Sequence, residues 1–437
     1  MRAWSLVGRW VGAGVVCLAV PAAGAAQTPA AQTPAGQGSP ATRVSLADAV
    51  RLAVEHNHEL RAQRLNVDLS KADEVTAALK PNPVFTSTNE NFPVFSPNQL
   101  FSWENFANNQ NYIEALSYVF ERGGKREKRT LVAQDTTTVA GHTAADSERQ
   151  LIFQTGQAFV NVLLAKSSLD LAQSDLKTFS NVVEVNRERV RVGDLAEADF
   201  LKITLQQLQF EQDVSAAEVA LAQAKAALRQ SLGFESVAEE FDVDGDLTFT
   251  KYTVTLDDLK REALATRPDL RAAQVGVKLA QDTEALAYGN RARDVTGEVE
   301  YDRAGDFNAV GFGFSIELPF HDRNQGNIAH SKVAVIQANE IEAQARTTVV
   351  TDVVNAFAAF QAADKLVSLF QSGYLTQAQQ SLDTTTYVYQ RGGGSLLDLL
   401  DAERTYRTTQ LAYRQALAAY MTSVQQINQA VGKQVLQ

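Results

Sequence analysis

No proline interrupts the chain between Gly124 and Val192, and none occurs between Asn324 and Gln437. Proline is the residue that most reliably ends a helix, so runs of this kind permit very long ones. At about 1.5 Å per residue, a helix from Gly124 to Val192 would reach about 100 Å. No single globular core hides such a rod, so it needs neighbours along its length. Their pattern is visible. Tyr413, Leu417, Tyr420, Val424, Ile427 and Val431 alternate steps of four and three, and so do Phe210, Val214, Ala217, Leu221, Ala224 and Leu228. This is coiled-coil spacing.

The chain also repeats itself. Leu46, Asp48, Arg51 and Ala53 fall in the same order and spacing as Leu256, Asp258, Arg261 and Ala263, and Glu59-Leu-Arg-Ala62 answers Asp269-Leu-Arg-Ala272 without a gap. Later landmarks recur as well: Gly193 against Gly393, and Leu232-Gly233 against Val431-Gly432. Two structural repeats are therefore expected, 45–234 and 255–437, joined by a connector over 235–254. Each opens with a short and a medium helix, capped at Ser45 and Thr255. Each continues through two strand-like segments and ends in a long helical hairpin turning at glycine.

The strands are expected at about 84–92 and 112–120, then 295–303 and 310–318. In Val310-Gly-Phe-Gly-Phe-Ser-Ile-Glu-Leu318 the apolar residues alternate with Gly, Gly, Ser and Glu. Val295, Val299 and Tyr301 likewise oppose Thr296, Glu298 and Glu300. Such runs suit tilted strands in a bilayer, and equally a half-buried sheet on a soluble domain.

The amino terminus bears on this choice. Arg2 and Arg9, an apolar stretch from Trp10 to Val20, and small residues at Ala23 and Ala25 read as a secretory signal peptide over 1–26. The one cysteine, Cys17, lies inside it, behind Val16 rather than the small residue of a lipidation site. Residues 27–44, rich in Ala, Pro, Gln and Gly, read as a flexible tether. Cleavage would remove two positive charges from a net charge of -11 and leave -13, which argues against a nucleic-acid partner. After residue 26 no apolar helix is expected to span a membrane, so a secreted chain with four amphipathic strands would cross one as a barrel. Four strands cannot close, since membrane barrels start at about eight. Three copies would supply twelve.

Several landmarks in this order resemble the TolC-like outer membrane factors, in particular their CzcC/CusC-like branch. They are Leu79-Lys-Pro-Asn-Pro83, Gly123-Gly-Lys-Arg126, Val192-Gly-Asp-Leu-Ala-Glu-Ala-Asp199, Leu318-Pro-Phe-His-Asp-Arg-Asn-Gln-Gly326 and Tyr389-Gln-Arg-Gly-Gly-Gly-Ser-Leu-Leu-Asp-Leu-Leu-Asp-Ala-Glu-Arg404. The resemblance implies a mainly α chain with a membrane β-barrel part. It implies a homotrimer with a 12-strand β-barrel in the outer membrane and a 12-helix α-barrel in the periplasm. The partners it implies are outer-membrane lipid, a periplasmic adaptor and an inner-membrane pump of RND type. The function is then a passive exit duct of a tripartite efflux system, for metal cations or small molecules. A duct for type I protein secretion and a periplasmic coiled-coil scaffold are the alternatives.

Site residues follow from the same resemblance. Asp398 and Asp401 would line the pore constriction, although acids at a helix start also suit the helix dipole. Tyr389 and Asp199 would help lock the mouth. The family's best-known member has an arginine where this chain has Gly394, so Arg391 is a candidate replacement. Gly193, Leu195, Gly393, Ser395 and Leu396 would form hairpin tips that dock the adaptor. Arg122, Lys125, Arg126, Lys128 and Arg129 form a basic cluster, either a solvated helix start or a contact for lipid head groups. Phe92, Phe95, Phe101, Trp103 and Phe106 read as an aromatic girdle or as surface-loop packing. The five histidines are scattered and two residues apart at closest, so neither a metal site, a cofactor site nor a catalytic arrangement is expected.

Overall fold

The computed structural model describes residues 43–90 and 110–436. The signal peptide, most of the tether, and the segment carrying Phe92 to Phe106 lie outside the described residues. Helices α1 (Leu46–His56) and α2 (His58–Ala78) lead into strands β2 (Val84–Glu90) and β3 (Asn111–Phe120). A helical hairpin of α3 (Lys125–Arg191) and α4 (Glu197–Leu232) follows. The same order then recurs: α5 (Leu256–Thr266), α6 (Pro268–Gly289), β5 (Val295–Ala304), β6 (Phe307–Ile316), α7 (Gln325–Leu369), α8 (Leu375–Gln390) and α9 (Leu396–Val431).

Matched local chemistry starts each repeat. The Ser45 hydroxyl accepts from the Asp48 backbone N–H at 3.2 Å and donates to the Asp48 carboxylate at 2.7 Å. Thr255 does the same with Asp258, at 3.3 and 2.6 Å. At the α1–α2 junction, Asn57 donates its side-chain amide to the Ser231 carbonyl. At the α5–α6 junction Arg267 occupies the corresponding place and donates to the Ala430 carbonyl. Arg267 is 3% exposed and charged, so it needs compensation. Asp269 and Asp352 supply it, at 2.5 and 2.8 Å. Burial opposes its charge, but these carboxylates hold its pKa above the usual value.

Three corrections concern the expected boundaries. The tether does not extend to residue 44: Arg43–Val44 form β1, which pairs in parallel with β4 (Asp242–Val243). The 235–254 connector is in turn part of the packing, because Phe241 and Val243 are buried against α1, α3 and α4 residues such as Ala53, Phe159 and Leu228. The last strand begins at Phe307 rather than 310, because β5 and β6 pair up to Ala304–Phe307 and leave Gly305-Asp306 as the turn.

The long helices pack along seams. Leu417, Tyr420, Val424, Ile427 and Val431 join Val349, Val353 and Phe360 of α7 in one core. One 18-residue window within Gln325–Gln390 does reach a mean hydropathy of 1.2, against the expectation of none. Part of its apolar character belongs to the seam, where Val349, Val353, Ala356 and Phe360 are buried. The α7–α8 rod is broken once, by a wide π-turn at Phe370–Tyr374 where Gly373 has φ 134°. Nothing in the hydrophobic spacing marks this break; the glycine is its one trace. The first repeat crosses the same distance in the unbroken α3.

Candidate functional site: the sheet faces and the hairpin tips

Strand alternation determines which residues share a face. The sheet has the order β2-β3-β5-β6, all antiparallel. Residues directly opposite one another lie on the same side, so the register assigns the faces. Ile316, Val295 and Phe120 form one row, Phe314, Gly297 and Tyr118 the next, and Phe312, Val299, Leu116 and Phe85 a third. This apolar face is uncovered, with Phe312 82% and Phe314 81% exposed. The other face carries Thr296, Glu298, Glu300 and Asp302 beside Ser315, Gly313, Gly311 and Ala309. An uncovered apolar face of this extent is untenable in water and suits lipid, while the acidic face suits an aqueous lumen. The soluble-scaffold alternative offers nothing to cover it.

At the opposite end of the helices lie the tips. Gly193 has φ 83° and follows α3. In the second hairpin the left-handed residue is Gly392, with φ 76°, not Gly393. The turns therefore align Gly193 with Gly392 and place Asp199 opposite Asp398, one position away from the register expected between Gly193 and Gly393. Gly394 packs against Tyr389, where an added Cβ would sit 3.3 Å from the Tyr389 backbone nitrogen.

The candidate residues separate into three groups. Asp398 caps its own helix: Ser395 and Asp398 bond reciprocally, the hydroxyl donating to the carboxylate at 2.7 Å and accepting from the Asp398 N–H at 3.1 Å. Asp401, one turn on, is exposed and forms no hydrogen bond among the described residues. Tyr389 is buried, and its hydroxyl donates to the side-chain oxygen of Asn186 at 2.7 Å. Burial raises the Tyr389 pKa, against the opposing effects of Arg189 and the Asn186 bond, so the phenol stays a neutral donor. The Arg189 guanidinium lies 5.4 Å from the Tyr389 ring centroid. Asp199 is not Tyr389's partner in the protomer; it pairs with Lys202 at 2.8 Å. Arg391 stacks over Tyr387 at 4.5 Å.

Leu195 and Leu396, expected among the docking residues of the tips, are half-buried and pack with Phe200 and Leu400 around Phe179, Val183, Ile203 and Phe210. They bind the two hairpins to each other. The exposed apolar residues at the tips are Val192, 63% exposed, and Leu397, 73% exposed. The sequence reading missed both, along with Asn186 and Arg189. An apolar residue adjoining each glycine turn was the available signal.

Above the tips, α3, α8 and α9 enclose a cavity of 670 Å³ that reaches from Asp170 to Tyr389. Asp175 and Glu403 line it. Burial pushes Asp175 up to about 6. Burial, with the Asp175 charge, pushes Glu403 up to about 7. Arg407 offsets part of this and pairs with Asp213 at 2.5 Å.

Comparison with known proteins agrees with this geometry. Residues 259–433 match the family model described as outer membrane efflux protein. The chain is 23% identical to the cobalt-zinc-cadmium resistance protein CzcC of Cupriavidus metallidurans, over 89% of this chain and 90% of that protein. It is 22% identical to outer membrane protein TolC of Vibrio cholerae, over 66% of this chain and 69% of that one. A crystal structure of CusC superposes with a TM-score of 0.75 at 18% identity, covering 92% of this chain and 96% of that chain. The outer-membrane channel OprN gives 0.75 at 18%, covering 89% of each. An amphipathic four-stranded sheet on long paired helices, a family-model match over residues 259–433 and these relatives converge: the chain has the fold of the outer membrane efflux channels and is similar to them along most of its length.

Proposed function

We propose that three copies of the chain form a passive exit duct of a tripartite efflux system, serving a periplasmic adaptor and an inner-membrane pump of RND type, with metal cations as cargo. The observation that carries this reading is the sheet with two open edges, β2 and β6. Unpaired backbone groups in hydrocarbon cost several kcal/mol each, so the edges must pair with those of neighbouring copies. Twelve strands then enclose a lumen lined by Glu298, Glu300 and Asp302 from each protomer. Rings of carboxylates favour cations over anions. The similarity to a cobalt-zinc-cadmium resistance protein supports the same cargo.

In this assembly Asp401, with Asp398 behind it, rings the periplasmic mouth. Tyr389, Asn186 and Arg189 hold the second hairpin to the first, and the mouth opens when that contact yields. The turns at Gly193 and at 391–395, with Val192 and Leu397, present the surface an adaptor would meet. Two experiments test the reading separately. Deleting the gene should lower tolerance to cobalt, zinc or cadmium, and unchanged tolerance would remove the cargo assignment. The purified protein should run as a heat-resistant trimer and conduct ions across planar bilayers. A monomer without conductance would remove the duct.

A further inference from the structure

The basic cluster after β3 divides into two kinds of cation. Lys125 pairs with Asp294 at 2.8 Å. Arg129 pairs with Glu121 at 2.7 Å and donates to the carbonyls of Ala77 and Leu79. Lys128 donates to the Gly123 carbonyl at 3.0 Å. Lys125 and Arg129 tie the strand ends to the helices, and Lys128 closes the turn between β3 and α3. Arg122 forms no ion pair among the described residues, and the same holds for Arg126 and for Lys80, which lies outside the cluster, ahead of β2. Lys80 and Arg126 line a cavity of 260 Å³ with Tyr118, Phe120, Glu121 and Glu127.

The position of this cavity gives it chemical meaning. Tyr118 and Phe120 end β3 on its apolar face, opposite Gly297 and Val295. Their rings meet edge-on with centroids 5.0 Å apart. Lys80 lies four residues before the start of β2, and Arg126 lies in the first turn of α3. The lipid-facing surface therefore ends in two aromatic rings, and unpaired cations follow within a few residues. Aromatic rings settle at the bilayer interface, and phosphates lie just beyond them.

We propose that this cavity is a phospholipid site. Lys80 and Arg126 contact the headgroup phosphate, and Tyr118 and Phe120 lie against the boundary between glycerol and acyl chains. The occupant is an anionic phospholipid of the leaflet facing the helices. Charge complementarity selects it. Glu121 is neutralised by Arg129 and Lys125 by Asp294, so Lys80 and Arg126 face the single anion Glu127, and the cavity carries a net positive charge. A zwitterionic lipid brings its own cation and gains less.

Native mass spectrometry of the assembled, detergent-solubilised protein tests this, with phosphatidylglycerol titrated against phosphatidylcholine of the same acyl chains. Each Lys or Arg near an anionic lipid surface is worth about a five-fold change in affinity. Lys80→Gln with Arg126→Gln should therefore weaken phosphatidylglycerol binding about thirty-fold. Glu127→Gln should strengthen it, by about five-fold at most. Lys251→Gln, in the connector far from the sheet along the chain, should change nothing. A heat-resistant assembly in each variant shows that the barrel itself is intact. Equal binding of the two lipids, unchanged binding in the double variant, or weaker binding in Glu127→Gln would overturn the assignment. Because Glu127→Gln acts in the opposite direction, loss of folding cannot imitate the expected pattern.

Discussion

Phe312→Arg tests the orientation of the sheet directly. Strand β6 has ten residues from Phe307 to Ile316. At about 3.4 Å per residue and a tilt of about 40°, it rises about 23 Å across the membrane. Phe312 lies about 13 Å from the Phe307 end, within about 2 Å of the midplane. Its side chain is 82% exposed in the protomer, so no protein atoms would shelter a guanidinium there. Arginine on the lipid face at this depth costs about 2–4 kcal/mol. Three copies in one barrel raise that to about 6–12 kcal/mol per assembly. Gly313→Asn is the matched control on the other face. A Cβ at Gly313 meets only the Glu298 Cβ at 3.7 Å, an ordinary contact, and an amide in an aqueous lumen stays solvated. Refolding from urea into lipid vesicles, read by the heat-resistant band on electrophoresis, should show Phe312→Arg strongly shifted towards the unfolded form and Gly313→Asn close to the parent. Assembly of Phe312→Arg at parental denaturant with failure of Gly313→Asn would mean that the faces are assigned the wrong way round.

Other outcomes follow from the helices. Tyr389→Phe leaves the Asn186 oxygen buried without a donor, costing about 1–3 kcal/mol at the hairpin contact; raised single-channel conductance with unchanged ion selectivity is expected in planar bilayers. Asp401→Asn should reduce the ratio of cation to anion permeability at low salt, where screening is weakest, whereas Asp398→Asn should in addition loosen the helix start by about 1 kcal/mol, visible as faster hydrogen exchange there. For Glu403 the folded pKa, about 7, lies above the ordinary 4.5, so its stabilising proton is fully present below about pH 4.5 and is lost as pH rises through about 7. Glu403→Gln should therefore stabilise the protein at pH 8 by on the order of 1–2 kcal/mol, allowing for partial solvent access, and by nothing at pH 4.5, as read by denaturant melts. Gly373→Ala forces a side chain onto φ 134°, and a cost of about 1–3 kcal/mol should appear as a lowered midpoint in the same melts.

The elements that the sequence exposed were those governed by local, periodic rules. Helix α3 was legible because proline is absent, and α4 and α9 because apolar residues recur at coiled-coil spacing. The repeat was legible because Ser45 and Thr255 impose the same cap, and Asp48 and Asp258 answer it. The sheet faces were legible because alternation has a period of two, and Phe312 and Phe314 fall on one side of it. What was not legible depends on contacts between distant segments. Arg43–Val44 looks like tether until Asp242–Val243 is brought beside it. Asn186 is an unremarkable polar residue in a long helix until Tyr389, 203 positions away, donates to it. The packing of Leu195 and Leu396 around Phe179 and Phe210 was not legible either, because each hairpin was read alone. The basic cluster looked uniform because charge is visible in a sequence and the partner that neutralises it is not.

The proposed gate combines two requirements that oppose each other. A cation-selective mouth concentrates carboxylates, and carboxylates in a ring repel. Closure must then come from uncharged contacts strong enough to outweigh that repulsion. The tips supply them in the apolar cluster around Phe179 and Phe210, whose rings stack at 4.6 Å, and in the buried bond between Tyr389 and Asn186. Asp398 is partly removed from the repulsion, because its carboxylate is engaged by Ser395. The two hairpins are unequally suited to move. The first is built on the unbroken α3, while the second carries the π-turn at Gly373 between α7 and α8. A rod bends where its hydrogen-bond ladder is already interrupted, so the second hairpin is the compliant one. It is also the hairpin that carries Tyr389, Asp398 and Asp401. The residues proposed to set selectivity and the residue proposed to anchor the closed mouth thus ride on the same hairpin, and an adaptor that displaced it would act on both together.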